Sequence, residues 1–277
     1  MAISKEFENI AKRAEVRARR LEGEVLRGYK VTLEDLYQSL GQLYRQYEDK
    51  DGKLTYEEMS RYKRLEKMAM EFQKNVATLY GQNDKAIYKG LREIYEAGYK
   101  DTAGLIRSAT GKRISGIVRK DVLDRAITND ISGLAWTERM GVHRGHAVAK
   151  IRETVTQGLH DGSTYRQMAK RLNEALSGDV VNPIRIVRTE SHRVISEAQK
   201  DRLDEAEKSG VKMVKVWVSS KDERVRSSHV AMDGVSVPYK DDFVMPDGAR
   251  GFAPGIIGAP QHDINCRCSW KIEFVDA

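Results

Sequence analysis

The stretch NPIRIVRTESHRVISEAQKDRLDEAEKSGVKMVKVWV, residues 182–218, passes from a helical pattern to a strand pattern and decides the fold class. Asn182 followed by Pro183 is typical of a helix start, because proline is tolerated at the first helical position. Ser209-Gly210 is typical of a helix end. The β-branched and aromatic run Met213–Val218 then predicts a strand.

The residues before this stretch are predicted to be helical almost throughout. All five prolines lie at or after Pro183, and proline is the residue that most disrupts a helix interior. Apolar residues recur at helical spacing within residues 33–47, 65–79, 87–95, 148–159 and 165–176, the last group preceded by Ser163 or Thr164 as a cap. These apolar stripes are expected to form helix faces packed in a core.

The residues after it are predicted to form a small module with further strands. Val235–Val237 and Trp270–Val275 read as strands, and the glycine- and proline-rich segment Asp241–Gln261 reads as a loop. The expected fold is mainly α with a small C-terminal α+β module. The expected domains are a helical region 1–130, a helical part 131–210 and a β-containing module 211–277.

The composition excludes several classes of protein. Apolar residues make up 40% and charged residues 32%, and no apolar run approaches the roughly 20 residues that span a bilayer. Neither a membrane partner nor a signal peptide is expected, so the chain is predicted to stay in a cytoplasm. Two cysteines are too few for a disulfide scaffold.

The net charge of +7 lies entirely in residues 1–210, because residues 211–277 carry nine basic and nine acidic side chains. This distribution favours an anionic partner for the helices. Because no aromatic residues are interleaved with the cations, double-stranded DNA fits better than single strands. The alternative is an ordinary solvated face. The candidate DNA-binding residues are Arg107, Lys112, Arg113, Arg119, Lys120, Arg125, Arg144, Lys150 and Arg152.

Two short patterns have a structural and a functional interpretation. Asp49–Glu58 resembles part of a calcium-binding EF-hand loop, but Tyr47 stands where the first ligand belongs, so a turn with a capping box is favoured.

Glu190 and Arg193 are spaced as a helix-surface ion pair. The functional alternative is a buried arginine that ties the helix to the strand module.

The C-terminal histidines and cysteines form a candidate zinc site. Two thiolates and two imidazoles, from His229, His262, Cys266 and Cys268, are a donor set that tetrahedral Zn²⁺ accepts. A closed site would stabilise a loop with little core of its own. The spacing matches no standard zinc finger, and two buried free thiols are the alternative.

The same region also allows an enzymatic interpretation. A hydrolytic metal could be held by imidazole, carboxylate and amide groups and could activate water against a phosphodiester. The candidate ligands for that metal are His229, Asp233, His262, Asp263 and Asn265.

An ordered set of short motifs resembles the Mu F-like head-morphogenesis family, the minor head proteins of tailed bacteriophages. The resemblance covers about Gly133 to Val275. Many members carry cysteines where this chain has Arg226 and His229, which weakens the four-ligand site that the resemblance implies. The matching motif residues are Arg188, Thr189, Glu190, Trp217, Asp222, Arg226, His229, Asp233, Gly234, Asn265, Cys266 and Cys268.

The resemblance implies a non-enzymatic minor head protein near the portal. Such a protein would assist procapsid assembly, DNA packaging or ejection, contact the portal and other head proteins, and bind double-stranded DNA without sequence preference. It would be found in the host cytoplasm during assembly and afterwards inside the virion. The alternatives are a metal-dependent nuclease or other hydrolase, and a generic basic helical DNA-binding protein unrelated to phage.

Overall fold

The computed structural model describes residues 2–114, 117–129 and 134–275. Most of the described chain is helical, as predicted. The helices are α1 (Ala2–Tyr47), α2 (Tyr56–Ser60), α3 (Arg64–Thr110), α4 (Lys120–Thr128), α5 (Trp136–His160), α6 (Tyr165–Asp179), α7 (Val181–Lys208), α8 (Ser227–Val230) and α9 (Pro260–Asp263). The strands are β1 (Met213–Val218), β2 (Ser236–Pro238), β3 (Phe243–Val244), β4 (Arg250–Gly251) and β5 (Ser269–Phe274).

The C-terminal strands form two small antiparallel sheets. In the larger sheet β1 lies between β2 and β5, with Trp217 opposite Trp270 and Val216 opposite Ser236. Strands β3 and β4 pair through Phe243 and Gly251. The predicted fold class, mainly α with a small C-terminal α+β module, is confirmed.

Three details differ from the sequence expectation. The apolar stripes at 65–79 and 87–95 lie on one uninterrupted helix, α3, because no proline separates them and Gly81, which does, is accommodated within the helix. Helix α7 begins at Val181 instead of Asn182, so Pro183 lies within its first turn, where its missing N–H costs nothing. The segment predicted to be a loop, Asp241–Gln261, contains β3, β4 and the start of α9.

The described chain divides into two compact units. Unit 1 comprises Met1–Leu21, Ile87–Trp136 and Arg185–Ala277, and unit 2 comprises Glu22–Ala86 and Thr137–Ile184. The predicted domain boundaries stay a prediction. The boundary between residues 130 and 131, and Gly133 as the start of the family resemblance, lie outside the described residues.

Unit 2 contains a buried network of tyrosines. The hydroxyls of Tyr29 and Tyr80 each donate to Oδ2 of Asp179 over 2.6 Å. Both rings are buried, so this carboxylate satisfies two phenol groups that water cannot reach. The interaction joins side chains of α1, α3 and α6 inside the unit.

The Asp49–Glu58 segment, also in unit 2, is a turn. Oδ1 of Asp49 accepts from the backbone N–H groups of Asp51 and Lys53, both at 2.9 Å. Thr55 caps α2 by accepting from the N–H of Glu58, whose carboxylate pairs with Arg61. The turn interpretation is confirmed, because the Asp49 carboxylate closes the turn and the Glu58 carboxylate is engaged in an ion pair.

Unit 1 has a buried ion pair on α7. Nε of Arg193 donates to Glu190 over 2.8 Å, and the two side chains are 2% and 0% exposed. Nη2 of Arg193 also donates to the carbonyl of Ile127 at the end of α4, over 3.2 Å. The surface-pair interpretation is therefore wrong: the arginine is buried, and the backbone carbonyl to which it donates belongs to α4.

Within the described residues, no helix combines the length and the apolar character that a membrane crossing requires.

Candidate functional site

The candidate site is built around His229 on the short helix α8. The loop that follows β1 carries α8 back across Trp217, whose ring meets the imidazole edge to face at 5.3 Å. Trp217 belongs to an apolar cluster with Met232, Phe243 and the two cysteines. His229 is 1% exposed, so its ring nitrogens must find partners inside the protein.

The backbone between α9 and β5 brings both cysteines to this ring. Asn265 adopts a left-handed conformation with φ of 56°, and its N–H donates to Oγ1 of Thr189 on α7. This reversal turns the chain so that Cys266 and Cys268 face the same side. An exposed Arg267 separates the two buried cysteines, as the alternation of an extended chain requires.

Nδ1 of His229 faces both sulfurs. It lies 3.6 Å from Sγ of Cys266 and 3.4 Å from Sγ of Cys268. One ligand atom from each of these residues falls within 4.8 Å of the others. The structure therefore brings three of the four predicted zinc ligands to one point.

His262 lies on the opposite side of the His229 ring. Its Nδ1 is 3.2 Å from Nε2 of His229, and the two rings stack with centroids 5.4 Å apart. Nε2 of His262 lies 2.9 Å from Oδ2 of Asp247. The fourth predicted ligand thus contacts the other nitrogen of His229 and a carboxylate, and is directed away from the sulfurs.

The two thiols differ sharply in acidity. A hydrogen bond from the Cys266 thiol, helped by His229 and the backbone of Ser220, lowers the pKa of Cys268 to about 4 despite its burial. The pKa of Cys266 is raised, because it donates to Cys268 and is itself buried.

The residues of the enzymatic alternative are engaged in separate contacts. Asp233 accepts from the N–H of Ser219 over 2.9 Å, which lowers its pKa. Asp263 is buried and accepts from the N–H groups of Ile257 and Gly258, and it thereby holds the loop before α9. The side chain of Asn265 is exposed. Of the five candidate ligands, the contacts described here join only His229 and His262 through their rings.

The other motif residues support the loop that carries α8. Asp222 pairs with Arg267 over 2.5 Å, and Arg226 donates to the carbonyl of Ile264 over 2.5 Å. Gly234 has φ of 79° and donates its N–H to the carbonyl of Trp217. Arg188 is exposed on α7, whereas Thr189 and Glu190 are buried.

Two residues that the sequence interpretation missed position the site. Asp247 contacts His262, and Nε2 of His192 on α7 lies 2.6 Å from the carbonyl of Cys268. These contacts join residues that are 15 and 76 positions apart. No spacing signal in the sequence marks either residue.

The predicted DNA-binding cations are all exposed, and they are divided between the two units. Unit 2 carries Arg144, Lys150 and Arg152, and the other six belong to unit 1. Lys150 pairs with Glu153, and Arg119 pairs with Asp121. The six cations of unit 1 are Arg107, Lys112, Arg113, Arg119, Lys120 and Arg125.

Comparison with known proteins connects this region to phage heads. The family described as Phage Mu protein F like protein matches residues 149–271, which include His229 and both cysteines. Minor head protein GP7 of Bacillus phage SPP1 is 29% identical over 242 residues, covering 86% of this chain and 77% of that protein.

Two bacterial proteins are also similar over shorter stretches. An NAD(+)--arginine ADP-ribosyltransferase, EFV, of Enterococcus faecalis is 26% identical over 58% of this chain, a match that covers 32% of the transferase. An uncharacterized protein of Haemophilus influenzae is 27% identical over 45% of this chain and 25% of its own length. No solved structure matches the chain. Residues 149–271 thus match the family of phage Mu protein F like proteins, so the resemblance that the sequence motifs predicted is confirmed, and the chain is similar to a phage minor head protein over most of its length.

Proposed function

We propose that the chain is a non-enzymatic minor head protein that lies near the portal, takes part in procapsid assembly and accompanies DNA during packaging or ejection. The observation that carries this proposal is its similarity to a phage minor head protein over 86% of the chain. On this proposal the protein is made in the host cytoplasm and ends inside the virion, in contact with the portal and other head proteins.

Incorporation into heads tests the proposal. Cells that assemble heads would carry an affinity-tagged copy, and mature particles would be purified free of unassembled protein and cross-linked. We expect the chain in the particles at low copy and cross-linked to the portal protein. Absence from both procapsids and mature heads would contradict the proposal.

We also propose that the exposed cations contact double-stranded DNA through its phosphates, without reading sequence. Helix-borne arginines and lysines neutralise phosphates and release counterions, so affinity falls as salt rises. Neutralising Arg144, Lys150 and Arg152 together to Gln should reduce the slope of log affinity against log salt by about 0.9 for each lost phosphate contact.

The matched control neutralises Lys67, Lys74 and Lys85, three lysines that are exposed in the same unit but were not among the candidates. Binding would be measured with duplexes of unrelated sequence at several salt concentrations. Equal slopes for the triple variant, the control and the unaltered protein would contradict DNA contact by these three residues. A corresponding set in unit 1, Arg107, Arg113 and Lys120 to Gln, tests the other group separately.

The non-enzymatic part of the proposal rests on the burial of the candidate site. His229, His262, Cys266 and Cys268 are between 1% and 4% exposed, which leaves no path for a phosphodiester to reach the imidazoles. The test is incubation of the purified protein with plasmid and Mg²⁺ or Mn²⁺, and separately with NAD⁺. Turnover that is lost in His229→Ala or His262→Ala would overturn this part.

A further inference from the structure

The hydrogen bonds of His262 bear on which nitrogen of the His229 ring is available to a metal ion. Asp247 is a carboxylate and can only accept a hydrogen bond, so Nε2 of His262 must be the donor in their 2.9 Å contact. In a neutral imidazole the other nitrogen, Nδ1, is then an acceptor. Nε2 of His229 therefore donates to it over 3.2 Å.

In this tautomer Nδ1 of His229 carries no proton, which is the form that a metal ligand needs. Its lone pair is directed into the space that the two sulfurs share. With the ion absent, the same nitrogen can instead carry the proton and donate to the Cys268 sulfur. A carboxylate that orients a histidine ligand through a hydrogen bond is a recurring arrangement behind metal-bound imidazoles, and here a second imidazole extends it by one step.

The distances fit a metal ion. In a tetrahedral zinc site the metal lies about 2.3 Å from sulfur and about 2.0 Å from nitrogen, which places the two ligand atoms about 3.5 Å apart. The observed separations from Nδ1 of His229 are 3.6 and 3.4 Å. A hydrogen bond between an imidazole nitrogen and a sulfur has a similar length, so the argument for a metal rests on the convergence of all three donor atoms on one buried point.

We propose that Nδ1 of His229 and the sulfurs of Cys266 and Cys268 bind a thiophilic divalent cation, Zn²⁺ in the cell, and that His262 and Asp247 orient His229 without touching the metal. Among the described residues, no fourth histidine, cysteine or carboxylate joins the three. The fourth position therefore falls to a water molecule. The ion would join α8 to the chain segment before β5, and so stabilise a loop-rich part of unit 1.

This arrangement differs from the four-ligand site expected from the sequence, and it does not depend on a role in phage heads. A head protein without the metal, or a metal-bound protein absent from heads, would separate the two proposals.

Metal content is the first test. The full chain, carrying no histidine tag, would be purified under reducing conditions without chelator and analysed by elemental mass spectrometry. We expect about one zinc per chain. After chelation, Co²⁺ should give the intense near-ultraviolet bands of thiolate-to-cobalt charge transfer. A protein free of zinc that also gives no such bands overturns the proposal.

Variants separate ligands from orienting residues. Cys266→Ser, Cys268→Ser and His229→Ala should each lose the metal, whereas Asp247→Asn should weaken binding roughly 10- to 100-fold. His146→Ala is the control, since His146 is exposed on α5. Full binding by His229→Ala would refute the proposed ligand set, and loss of the metal in His262→Ala at saturating Zn²⁺ would refute the orienting role of His262.

Unaltered protein provides a test that does not depend on variants folding. A chelator should lower its melting temperature, and Zn²⁺, but not Mg²⁺, should restore it. A melting temperature unaffected by chelation of demonstrably metal-loaded protein would contradict the stabilising role.

Discussion

Nε of Arg193 lies 2.8 Å from Oε2 of Glu190, one turn apart on α7, with both side chains sealed from solvent. Removing one partner of a buried pair leaves the other charge without compensation in a medium that solvates it poorly. Arg193→Ala should therefore lower the free energy of unfolding by about 3–5 kcal/mol. All three tryptophans, Trp136, Trp217 and Trp270, belong to unit 1, so their fluorescence during urea unfolding reports on the relevant unit.

The control for this prediction is Arg61→Ala. Arg61 follows Glu58 at the same spacing, but its side chain is 58% exposed. Loss of an exposed pair costs less than about 1 kcal/mol. Equal effects of the two substitutions would mean that the burial of Arg193 contributes nothing.

Gly251 in β4 is confined by the backbone of Ile257. A methyl group at residue 251 would lie 2.2 Å from Cα of Ile257 and 2.6 Å from its carbonyl oxygen. Since the obstruction is main chain, Gly251→Ala should destabilise unit 1 by about 3 kcal/mol through displacement of the loop. Tryptophan fluorescence during urea unfolding measures this loss.

Gly104 in α3 provides the control for Gly251→Ala. It is exposed, and a methyl group there meets nothing within 4 Å. Gly104→Ala should stabilise the helix by up to about 1 kcal/mol. Destabilisation by both substitutions would show that the obstruction at Gly251 is not the cause.

Lys215 gives unit 1 a predicted dependence on pH. Its Nζ lies 3.3 Å from the centre of the Phe252 ring and has no hydrogen-bond partner among the described residues. Burial lowers its pKa from 10.5 to about 7, against the attraction of Asp242, Asp241 and Asp204 and with the repulsion of Lys200.

The unfolded chain binds this proton up to about pH 10.5, whereas the folded chain releases it above about pH 7. Stability should therefore rise with pH across that window, by at most about 1.4 kcal/mol per unit for one proton. Lys215→Met should remove this rise, and Lys212→Met, at an exposed neighbouring position, should keep it. Parallel stability profiles for all three proteins between pH 7 and 10 would contradict the prediction.

Asp179 is expected to be essential to the packing of unit 2. Asp179→Ala removes the carboxylate that accepts from the buried hydroxyls of Tyr29 and Tyr80 and leaves them only their mutual contact at 3.2 Å, at a cost of about 2–3 kcal/mol. Hydrogen–deuterium exchange should therefore accelerate in peptides around both tyrosines.

The control is Asp124→Ala. Asp124 also accepts from a tyrosine, Tyr88, over 2.8 Å, but that contact is exposed, and water can replace it. Exchange around Tyr88, in unit 1, should be unchanged in this variant. Unchanged exchange around Tyr29 and Tyr80 in Asp179→Ala would show that the network does not stabilise the unit.

The candidate site was only partly predictable from the sequence. Cys266 and Cys268 alternate in an extended segment, so their placement on one side followed from local geometry. His229 could be proposed as a metal ligand only because it is a histidine, since no spacing pattern linked it to the cysteines. The contact between Asp247 and His262 could not be foreseen, because it depends on how the loop of β3 and β4 returns to α9.

The sequence by itself determined what adjacent residues decide. Thr164 and Gln167 form the capping box of α6, Asp49 closes a turn, and Met213–Val218 forms a strand, because each depends on hydrogen bonds and side-chain periodicity within a few residues. Only the tertiary structure decided that Glu190 and Arg193 are buried and that the candidate cations fall on two units. The burial of a side chain and its distance from residues elsewhere in the sequence depend on the packing of segments far apart in the chain. Local sequence patterns therefore cannot predict them.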